Sequence, residues 1–288
     1  MAAIARLAPA KVNLFLHVGP LEADGYHPLA SLVAFADVGD RLTIEPADRL
    51  SLVVTGPFAG ALDAEGDNLV LRAARALGAA AGIGEPGLRI TLDKQLPVAA
   101  GLGGGSSDAG AVLKLARDGL GLPFDDVALA DIAAGLGADG PLCLHTRAAW
   151  AEGRGEILTF ETHLPPLPAL LVNPGVPSST GAVYRAFDDG SSGRADRPPP
   201  PSVWGVASVT AWLSVQRNDL QPPAVALAPA IEKALAVTAA LPGARLTRMS
   251  GSGATVFALF DTTAAAEAAG QALAALHPDW WVQPTVLR

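Results

Sequence analysis

The chain has 288 residues, half of them hydrophobic and 17% charged, so a sizeable folded core is expected and global disorder is excluded. Its 28 acidic and 20 basic residues give a net charge of −8 without a dense basic cluster, which argues against nucleic acid as a main partner. Cys143 is the only cysteine, which excludes an internal disulfide and a cysteine metal cluster and favours a reducing, cytoplasmic compartment. Neither a signal peptide nor a transmembrane-length run is found, so no membrane partner is expected.

Apolar residues alternate over residues 12–18, which predicts the first strand. Side chains two residues apart on a strand lie on the same face, so Lys11 and Asn13 should point the same way. They could belong to an exposed strand face or line a cleft.

A turn follows at residues 22–28, where Tyr26 and His27 adjoin a glycine. Such a histidine is often only solvated, but a Tyr-His pair could also stack on a planar base and hydrogen-bond to it. Strands are then predicted over residues 41–45 and 50–55, and a helix from Leu69 that Asp67 or Asn68 would cap.

The most informative stretch follows a predicted strand at residues 88–92. Four glycines fall within five residues, at Gly101, Gly103, Gly104 and Gly105, and an apolar pattern of helical spacing runs on to Leu120. Ser106 and Ser107 are candidate N-caps. A glycine loop that leads into a helix N-terminus offers free amides and a positive dipole end, which suits a phosphate. Neither the Walker A motif nor the dinucleotide fingerprint fits the stretch, and a flexible turn is the alternative.

The remaining elements are predicted from similar local signals. A helix should start at Asp125 or Asp126 and end before residues 137–143, where Asp139 lies between glycines in a predicted turn. Residues 151–158 are interpreted mainly as a surface turn, with a hairpin that closes the first domain as the alternative. A buried strand at 167–173 and a helix from about Gly181 follow. Residues 189–202 should form an extended or mobile loop. Helical residues 224–241 are interrupted near Pro229, a second glycine loop at 248–260 leads into a strand, and a helix at 262–276 precedes an edge strand at 281–287.

Three segments together resemble the motifs of the GHMP kinase superfamily. They are Ala8-Pro-Ala-Lys-Val-Asn-Leu14, Pro97-Val-Ala-Ala-Gly-Leu-Gly-Gly-Gly-Ser-Ser107 and the second glycine loop at 248–260. The resemblance covers nearly the whole chain. It implies an α+β fold with two domains: residues 1–160 would resemble domain 2 of ribosomal protein S5, residues 161–288 would be ferredoxin-like, and the site would lie between them.

The resemblance also implies roles for individual residues. Asp139 matches the base of the family's Gly-x-Asp-x-Pro motif, although Gly140 departs from the usual apolar residue, and Lys11 would complete the catalytic pair. The cofactors would be ATP and Mg²⁺, the metal arriving with the nucleotide, with Ser107 and Asp108 as candidate metal ligands only. The nucleotide would contact Asn68, for which a plain helix cap is the alternative, and Pro97, Gly101, Leu102, Gly103, Gly104, Gly105, Ser106 and Ser107. The substrate would contact Asn13, Tyr26, His27 and Tyr184.

The string Asp24-Gly-Tyr-His27 resembles one branch of that superfamily in particular. Its members phosphorylate the 2-hydroxyl of a methylerythritol that carries a cytidine diphosphate group, in the synthesis of isoprenoid precursors. A small molecule of that kind is therefore the expected partner, and the protein would be a monomer or a weak homodimer. A sibling kinase acting on mevalonate or homoserine, a non-catalytic nucleotide-binding regulator and an RNA-binding module remain as alternatives.

Overall fold

The computed structural model describes residues 3–62, 68–188 and 193–288, which form an α+β structure. The chain folds into two compact units, each built from separate segments. The first unit comprises Met1–Lys11, Val38–Val98 and Gly103–Thr146, and the second comprises Val12–Asp37, Ala99–Leu102 and Arg147–Arg288. The predicted domain boundary between residues 160 and 161 stays a prediction.

The sheet of the first unit is built around β5 (Leu88–Asp93). This strand pairs in parallel with β4 (Ser51–Thr55) and antiparallel with residues 41–46 of β3 (Leu29–Pro46); β1 (Ile4–Asn13) also pairs with β3. The helices of this unit are α1 (Leu69–Ala80), α2 (Gly104–Leu120), α3 (Asp126–Ala134) and α4 (Gly140–His145), and they pack against one another. The core of the unit is aliphatic, with residues such as Leu42, Ile44, Leu77, Ile90 and Val112.

Four strands of the second unit form an antiparallel sheet in the order β11-β8-β10-β9. They are β8 (Leu167–Asn173), β9 (Leu246–Met249), β10 (Val256–Leu259) and β11 (Trp281–Leu287). Helices connect β8 to β9, and α9 (Thr263–Leu276) connects β10 to β11. This β–α–β–β–α–β arrangement is the ferredoxin-like fold that was expected.

The rest of the second unit supports that sheet and adds a hairpin. The short β2 (His17–Val18) and β6 (Ala149–Gly153) both pair with the first residues of β3, and β6 forms a hairpin with β7 (Ile157–Phe160). The helices between β8 and β9 are α5 (Thr180–Asp188), α6 (Val206–Ser214), α7 (Gln221–Leu227) and α8 (Ala230–Ala239).

Most helices and strands with a local sequence signal are confirmed. Asn68 and Asp125 cap α1 and α3 by accepting hydrogen bonds from Val70 N and Ala128 N, and Gly121, the C-cap residue of α2, adopts a left-handed conformation. The interruption near Pro229 is also confirmed, because it separates α7 from α8. Capping and breaking signals act within a few residues, so the sequence alone reveals them.

Three elements differ from the prediction. β1 begins at Ile4 and ends at Asn13, so the predicted strand over 12–18 is divided between β1 and β2. Residues 137–143 were predicted as a turn, but α4 begins there at Gly140. The last strand, β11, is not a free edge: it pairs along its length with β8, and Leu287 also pairs with Ala36 of β3.

Two predictions fall partly outside the described residues. Asp67, the alternative cap of α1, lies outside them, and so do residues 189–192 of the predicted loop. The rest of that loop, residues 193–202, has no regular secondary structure. Within the described part of the chain, every helix is too short or too polar to cross a bilayer.

Candidate active site

The glycine loop passes directly into α2, and the helix starts earlier than predicted. Gly103 is the N-cap residue with a φ of 61°, and Gly104 is the first helical residue. Ser107 N donates a 2.9 Å hydrogen bond to Gly103 O, so Ser106 and Ser107 lie inside the first turn, and their predicted capping role is wrong. Because the first amides of a helix lack intrahelical acceptors, those of Gly104, Gly105 and Ser106 can donate to a ligand.

Two of the loop glycines differ in how closely other atoms approach them. A Cβ added at Gly103 would lie 3.1 Å from Lys11 Cε, so the lysine stem packs against this backbone. A Cβ at Gly105 would meet nothing nearer than Leu69 Cδ2, at 3.9 Å, and this residue is exposed. Gly103 therefore allows the Lys11 side chain to pack closely against the loop backbone, whereas the surrounding atoms leave room for a side chain at Gly105.

Lys11 and Asp139 form an ion pair within the first unit. Lys11 Nζ lies 2.8 Å from Asp139 Oδ2, and the lysine side chain is 9% exposed whereas that of the aspartate is 40% exposed. Burial alone would lower the pKa of Lys11, but the charge of Asp139 and its hydrogen bond outweigh burial and raise that pKa. Asp139 makes no capping hydrogen bond to α4. The pair thus combines a fixed cation with a carboxylate that solvent and ligands can reach.

A second and fully buried ion cluster lies at the start of the same loop. Lys94 Nζ contacts Asp40 Oδ2 at 2.5 Å and Asp108 Oδ2 at 2.8 Å, with side-chain exposures of 3% or less. The attraction of the two carboxylates raises the pKa of Lys94 despite its burial. Burial, helped by Asp40 and opposed by Lys94, raises the pKa of Asp108 to about 7.

Two oxygens in the first turns of α2 have no hydrogen-bond partner among the described residues. They are Ser107 Oγ and Asp108 Oδ1, and both are buried. Oxygen donors of this kind fit Mg²⁺, which is usually held by one or two protein oxygens, by water and by substrate phosphates. Groups of three or more His, Cys, Asp or Glu side chains suited to a metal are absent from the described residues.

The structure puts Asn68 next to the glycine loop but gives it a capping role. Its Oδ1 accepts from Val70 N at 2.9 Å, while the neighbouring Leu69 is the nearest side chain to Gly105. Pro97 lies in the coil between β5 and α2, three residues beyond Lys94. The side-chain amide nitrogen of Asn68 is not used by the cap.

The segment Ala99–Leu102, which includes the predicted residues Gly101 and Leu102, packs within the second unit against the second glycine loop. Ser250 Oγ donates to Gly101 O at 2.9 Å, and a Cβ at Gly101 would lie only 2.3 Å from Ser250 O. Thr255 N also donates to Ala100 O, at 3.1 Å. The two glycine loops therefore pack against each other, as the family resemblance implied.

Asn13 is buried in the second unit. Its Nδ2 donates to Ser31 Oγ at 2.8 Å, its backbone N donates to Ser250 Oγ at 3.1 Å, and its Oδ1 lies 3.4 Å from the position of a Cβ at Gly251. The alternative of an exposed strand face is therefore wrong for both Asn13 and Lys11, which are 6% and 7% exposed. Asn13 lies beside the second glycine loop.

The predicted substrate-binding rings adopt two different environments. His27 is buried and stacks on Tyr184, with 5.1 Å between the ring centroids. Tyr26 is 53% exposed, and the guanidinium of Arg154 lies 4.3 Å from its ring centroid. Arg154 also pairs with Asp24. The structure therefore brings His27 and Tyr184 together, whereas Tyr26 points to the side of the β6–β7 hairpin.

Both ring nitrogens of His27 already have partners in the second unit. Nδ1 is 2.9 Å from Gly19 O, and Nε2 is 3.2 Å from Asp188 Oδ1. Because a carbonyl oxygen can only accept, Nδ1 donates that hydrogen bond. The ring of His27 is thus fixed in orientation and supports the face of Tyr184.

Sequence reasoning missed Lys94, Asp40 and the positioning role of Asn218. The Asn218 side chain donates to Met249 O and Gly251 O, both at 2.8 Å, and so holds the second glycine loop. Lys94 could have been noticed as a charged residue that follows the strand and precedes the loop. Its partner Asp40 is 54 residues away, and no local signal connects the two.

The comparisons with known proteins agree on one family. The family described as GHMP kinases N terminal domain matches residues 68–147, and the one described as GHMP kinases C terminal matches residues 210–279. The 4-diphosphocytidyl-2-C-methyl-D-erythritol kinase of Caulobacter vibrioides (strain NA1000 / CB15N) is 52% identical, covering 97% of this chain and 98% of the relative. That of Methylobacterium radiotolerans is 51% identical with both chains fully covered. A crystal structure of 4-(cytidine 5'-diphospho)-2C-methyl-D-erythritol kinase is 37% identical, with a TM-score of 0.79 and 99% of each chain covered.

Proposed function

The chain belongs to the GHMP kinase family, and on that premise we propose that it is the ATP-dependent kinase of 4-diphosphocytidyl-2-C-methyl-D-erythritol. The reaction transfers the γ-phosphoryl group of ATP to the 2-hydroxyl of that substrate. The ion pair between Lys11 and Asp139, formed beside the glycine loop, is the observation that carries the proposal. The names of relatives that match over nearly their full length support the choice of substrate.

The chemical demands of this reaction fit the residues of the first unit. Phosphoryl transfer needs mainly positioning and charge stabilisation. The hydroxyl oxygen attacks the γ-phosphorus, the bond to the β-phosphate oxygen breaks, and the hydroxyl proton passes to Asp139. Because the pKa of Lys11 is raised, its ammonium remains charged beside the carboxylate of Asp139 and stabilises charge on the transferred group.

The start of α2 would hold the phosphates. The amides of Gly104, Gly105 and Ser106 donate to phosphate oxygens, and the helix dipole favours negative charge there. Mg²⁺, when bound with the nucleotide, neutralises phosphate charge, and Ser107 Oγ and Asp108 Oδ1 are the oxygens that could reach it or its waters. Asn68 would direct its side-chain amide nitrogen, which the cap does not use, toward the nucleotide.

The cytidine end of the substrate would bind in the second unit. His27 and Tyr184 are in stacking contact at 5.1 Å, so a base does not fit between these two rings. We place the cytosine on the other face of Tyr184, with Tyr26 leaving Arg154 to cover it and Asn13 contributing its amide to the substrate. His27 then acts by supporting Tyr184 and through its backbone groups.

An acceptor panel tests the proposal. The protein is incubated with ATP and Mg²⁺ and with the cytidyl substrate, its cytidine-free fragment, mevalonate or homoserine, and ADP release is measured. We expect ADP release to depend on the cytidyl substrate. With each of the other acceptors, the rate of ADP release should be at least about 100-fold lower. Equal rates with mevalonate or homoserine would identify a sibling kinase, and ATP binding without ADP release from any acceptor would favour a regulator.

A further inference from the structure

Lys94 is the only cation in contact with two buried carboxylates at the base of the glycine loop, as far as the described residues show. Its ammonium bridges Asp40 and Asp108 at 2.5 and 2.8 Å, and all three side chains are almost completely buried. The proposed reaction uses none of the hydrogen-bond donors of the Lys94 ammonium, and of the two carboxylates it gives a role only to Asp108 Oδ1, as an oxygen that could reach Mg²⁺ or its waters. What this cluster does for the protein is therefore an open question.

The cluster connects the two ends of the loop within the first unit. Asp40 Oδ1 accepts from Gln95 N at 2.6 Å and from Leu96 N at 2.8 Å, which fixes the residues that enter the loop. Asp108 lies in the second turn of α2, where the loop ends. Lys94 joins the two carboxylates, so a single ammonium connects the loop entry to the helix start.

The ammonium also lies directly behind the first residue of the helix. A Cβ added at Gly104 would be 3.1 Å from Lys94 Nζ and 3.5 Å from Asp40 Oδ2. The amide of Gly104 is one of those proposed to bind phosphate. A shift of the cluster would therefore be passed on to the amides that face the nucleotide.

Neither stability nor charge attraction explains the cluster well. Removing charges from water costs free energy, and apolar residues of similar size are often as stabilising as a buried ion cluster. One ammonium with two carboxylates has a net charge of −1, or zero if one carboxylate is protonated, so the cluster does not attract a triphosphate. What it offers is a fixed geometry.

We propose that Lys94 is a positioning residue, which through Asp40 and Asp108 holds the first amides of α2 in the geometry that phosphoryl transfer requires. The inference rests on the proposed kinase function. A misplacement of about 1 Å in such a site can cost about 100-fold in rate. Because the ammonium of Lys94 is buried and held by two carboxylates, its loss should act on the alignment of the phosphates more than on their affinity.

The first test replaces Lys94 by methionine, with Lys114→Met as the matched control. Lys114 lies on α2 as well and pairs with Asp126 at 3.3 Å, but it is remote in sequence from the loop and Asp126 is half exposed. In folded Lys94→Met protein we expect kcat to fall about 100-fold, with the KM for the cytidyl acceptor changed less than about threefold. Lys114→Met should retain wild-type kcat and KM.

A second variant separates positioning from stability. Lys94→Met combined with Asp40→Asn and Asp108→Asn leaves no unpaired buried charge, keeps an amide oxygen for Gln95 N and Leu96 N, and keeps a side-chain oxygen at position 108. Positioning predicts that its Tm returns to near the wild-type value while kcat stays at least about 10-fold low. Recovery of kcat together with Tm, or wild-type kcat in folded Lys94→Met protein, would overturn the proposal.

Binding of a non-hydrolysable ATP analogue keeps this test independent of the substrate assignment. Calorimetry on wild type and both variants should give a smaller favourable binding enthalpy for the variants, because misaligned amides make weaker hydrogen bonds. If the wild type phosphorylates none of the acceptors, the proposed function fails. The role of Lys94 is tested separately: it is overturned if both variants bind the ATP analogue with the same enthalpy as the wild type.

Discussion

The charged groups of the first unit and the aromatic groups of the second unit prepare for a ligand in different ways. In the first unit, Lys11 and Asp139 already meet at 2.8 Å, and the ammonium of Lys94 fixes the loop beside them. In the second unit, His27 and Tyr184 stack on each other, and Tyr26 stacks on Arg154. The groups proposed for phosphoryl transfer are thus preorganised, whereas in the region proposed for the base Tyr26 must exchange its contact with Arg154 for a contact with the ligand.

This difference has a physical reason. Charge stabilisation is effective only when the groups need no reorganisation during the reaction, so rigidity benefits the first region. A base-binding region mainly provides stacking, and an aromatic ring can exchange one stacking partner for another at small cost. Substitutions of the charged groups in the first unit should therefore affect kcat, and substitutions of the aromatic groups in the second should affect the KM of the acceptor.

The largest effect is expected from Asp139→Asn. The amide cannot accept the hydroxyl proton, and a positioned base contributes about 10²–10⁴-fold, so kcat should fall within that range. Affinity for ATP should stay within a few fold, because Asp139 does not bind the phosphates. Steady-state kinetics and calorimetry measure the two quantities. Asp126→Asn, another ion-paired aspartate of this unit, is the control, and wild-type turnover in Asp139→Asn would remove Asp139 from the mechanism.

The next effect compares two glycines of the loop. Gly105→Ala places its Cβ 3.9 Å from the nearest protein atom and favours the helix, so Tm should stay the same or rise. If phosphate lies against Gly105, the KM for ATP should rise about 10-fold or more. In Gly101→Ala the Cβ would be 2.3 Å from Ser250 O at a φ of +73°, so this variant should lose stability instead. An unchanged KM for ATP in Gly105→Ala would contradict phosphate binding at that residue.

A smaller effect is expected in the second unit from Tyr184→Ala. Stacking of a base on an aromatic ring is worth about 1–3 kcal/mol, so the KM for the cytidyl acceptor should rise about 10-fold or more while the KM for ATP does not change. Tyr184→Phe retains the ring and should stay near wild type for both. Equal losses with the cytidine-free fragment would show that Tyr184 does not recognise the base.

The smallest effect concerns a histidine outside the proposed site. His17 packs against Phe15, and its buried Nε2 has no hydrogen-bond partner among the described residues. Burial lowers the pKa of His17 below the usual value of about 6.5, so the unfolded chain binds this proton more readily. As the pH falls below about 6.5, wild type should therefore lose stability relative to His17→Phe. Tm values of both proteins from pH 8 to 5 test this, and a constant difference would contradict it.

The sequence predicted what depends on neighbouring residues. The caps at Asn68 and Asp125, the glycine loop and the strand at β8 all follow from patterns within one segment. The first half of β3 was missed, because a strand buried on both faces, as residues 30–36 are, loses the alternation that marks a strand.

Site residues follow the same rule. The family motifs pointed to Lys11 and Asp139, which are 128 residues apart, and the structure brings them together. The contact between Lys94 and Asp40 has no motif to reveal it, because it depends on the register of β3 against β5. The different environments of Tyr26 and His27 depend on their contacts with Arg154 and Tyr184, which are also distant in sequence.

The central claim is that the first amides of α2 hold the nucleotide where Lys11 and Asp139 act on its terminal phosphate. A crystal structure with a non-hydrolysable ATP analogue and Mg²⁺ tests it most directly. We predict terminal-phosphate oxygens about 2.7–3.2 Å from the amides of Gly104 to Ser106 and from Lys11 Nζ. A terminal phosphate outside hydrogen-bond reach of both Lys11 and Asp139, even through one water, would contradict the account.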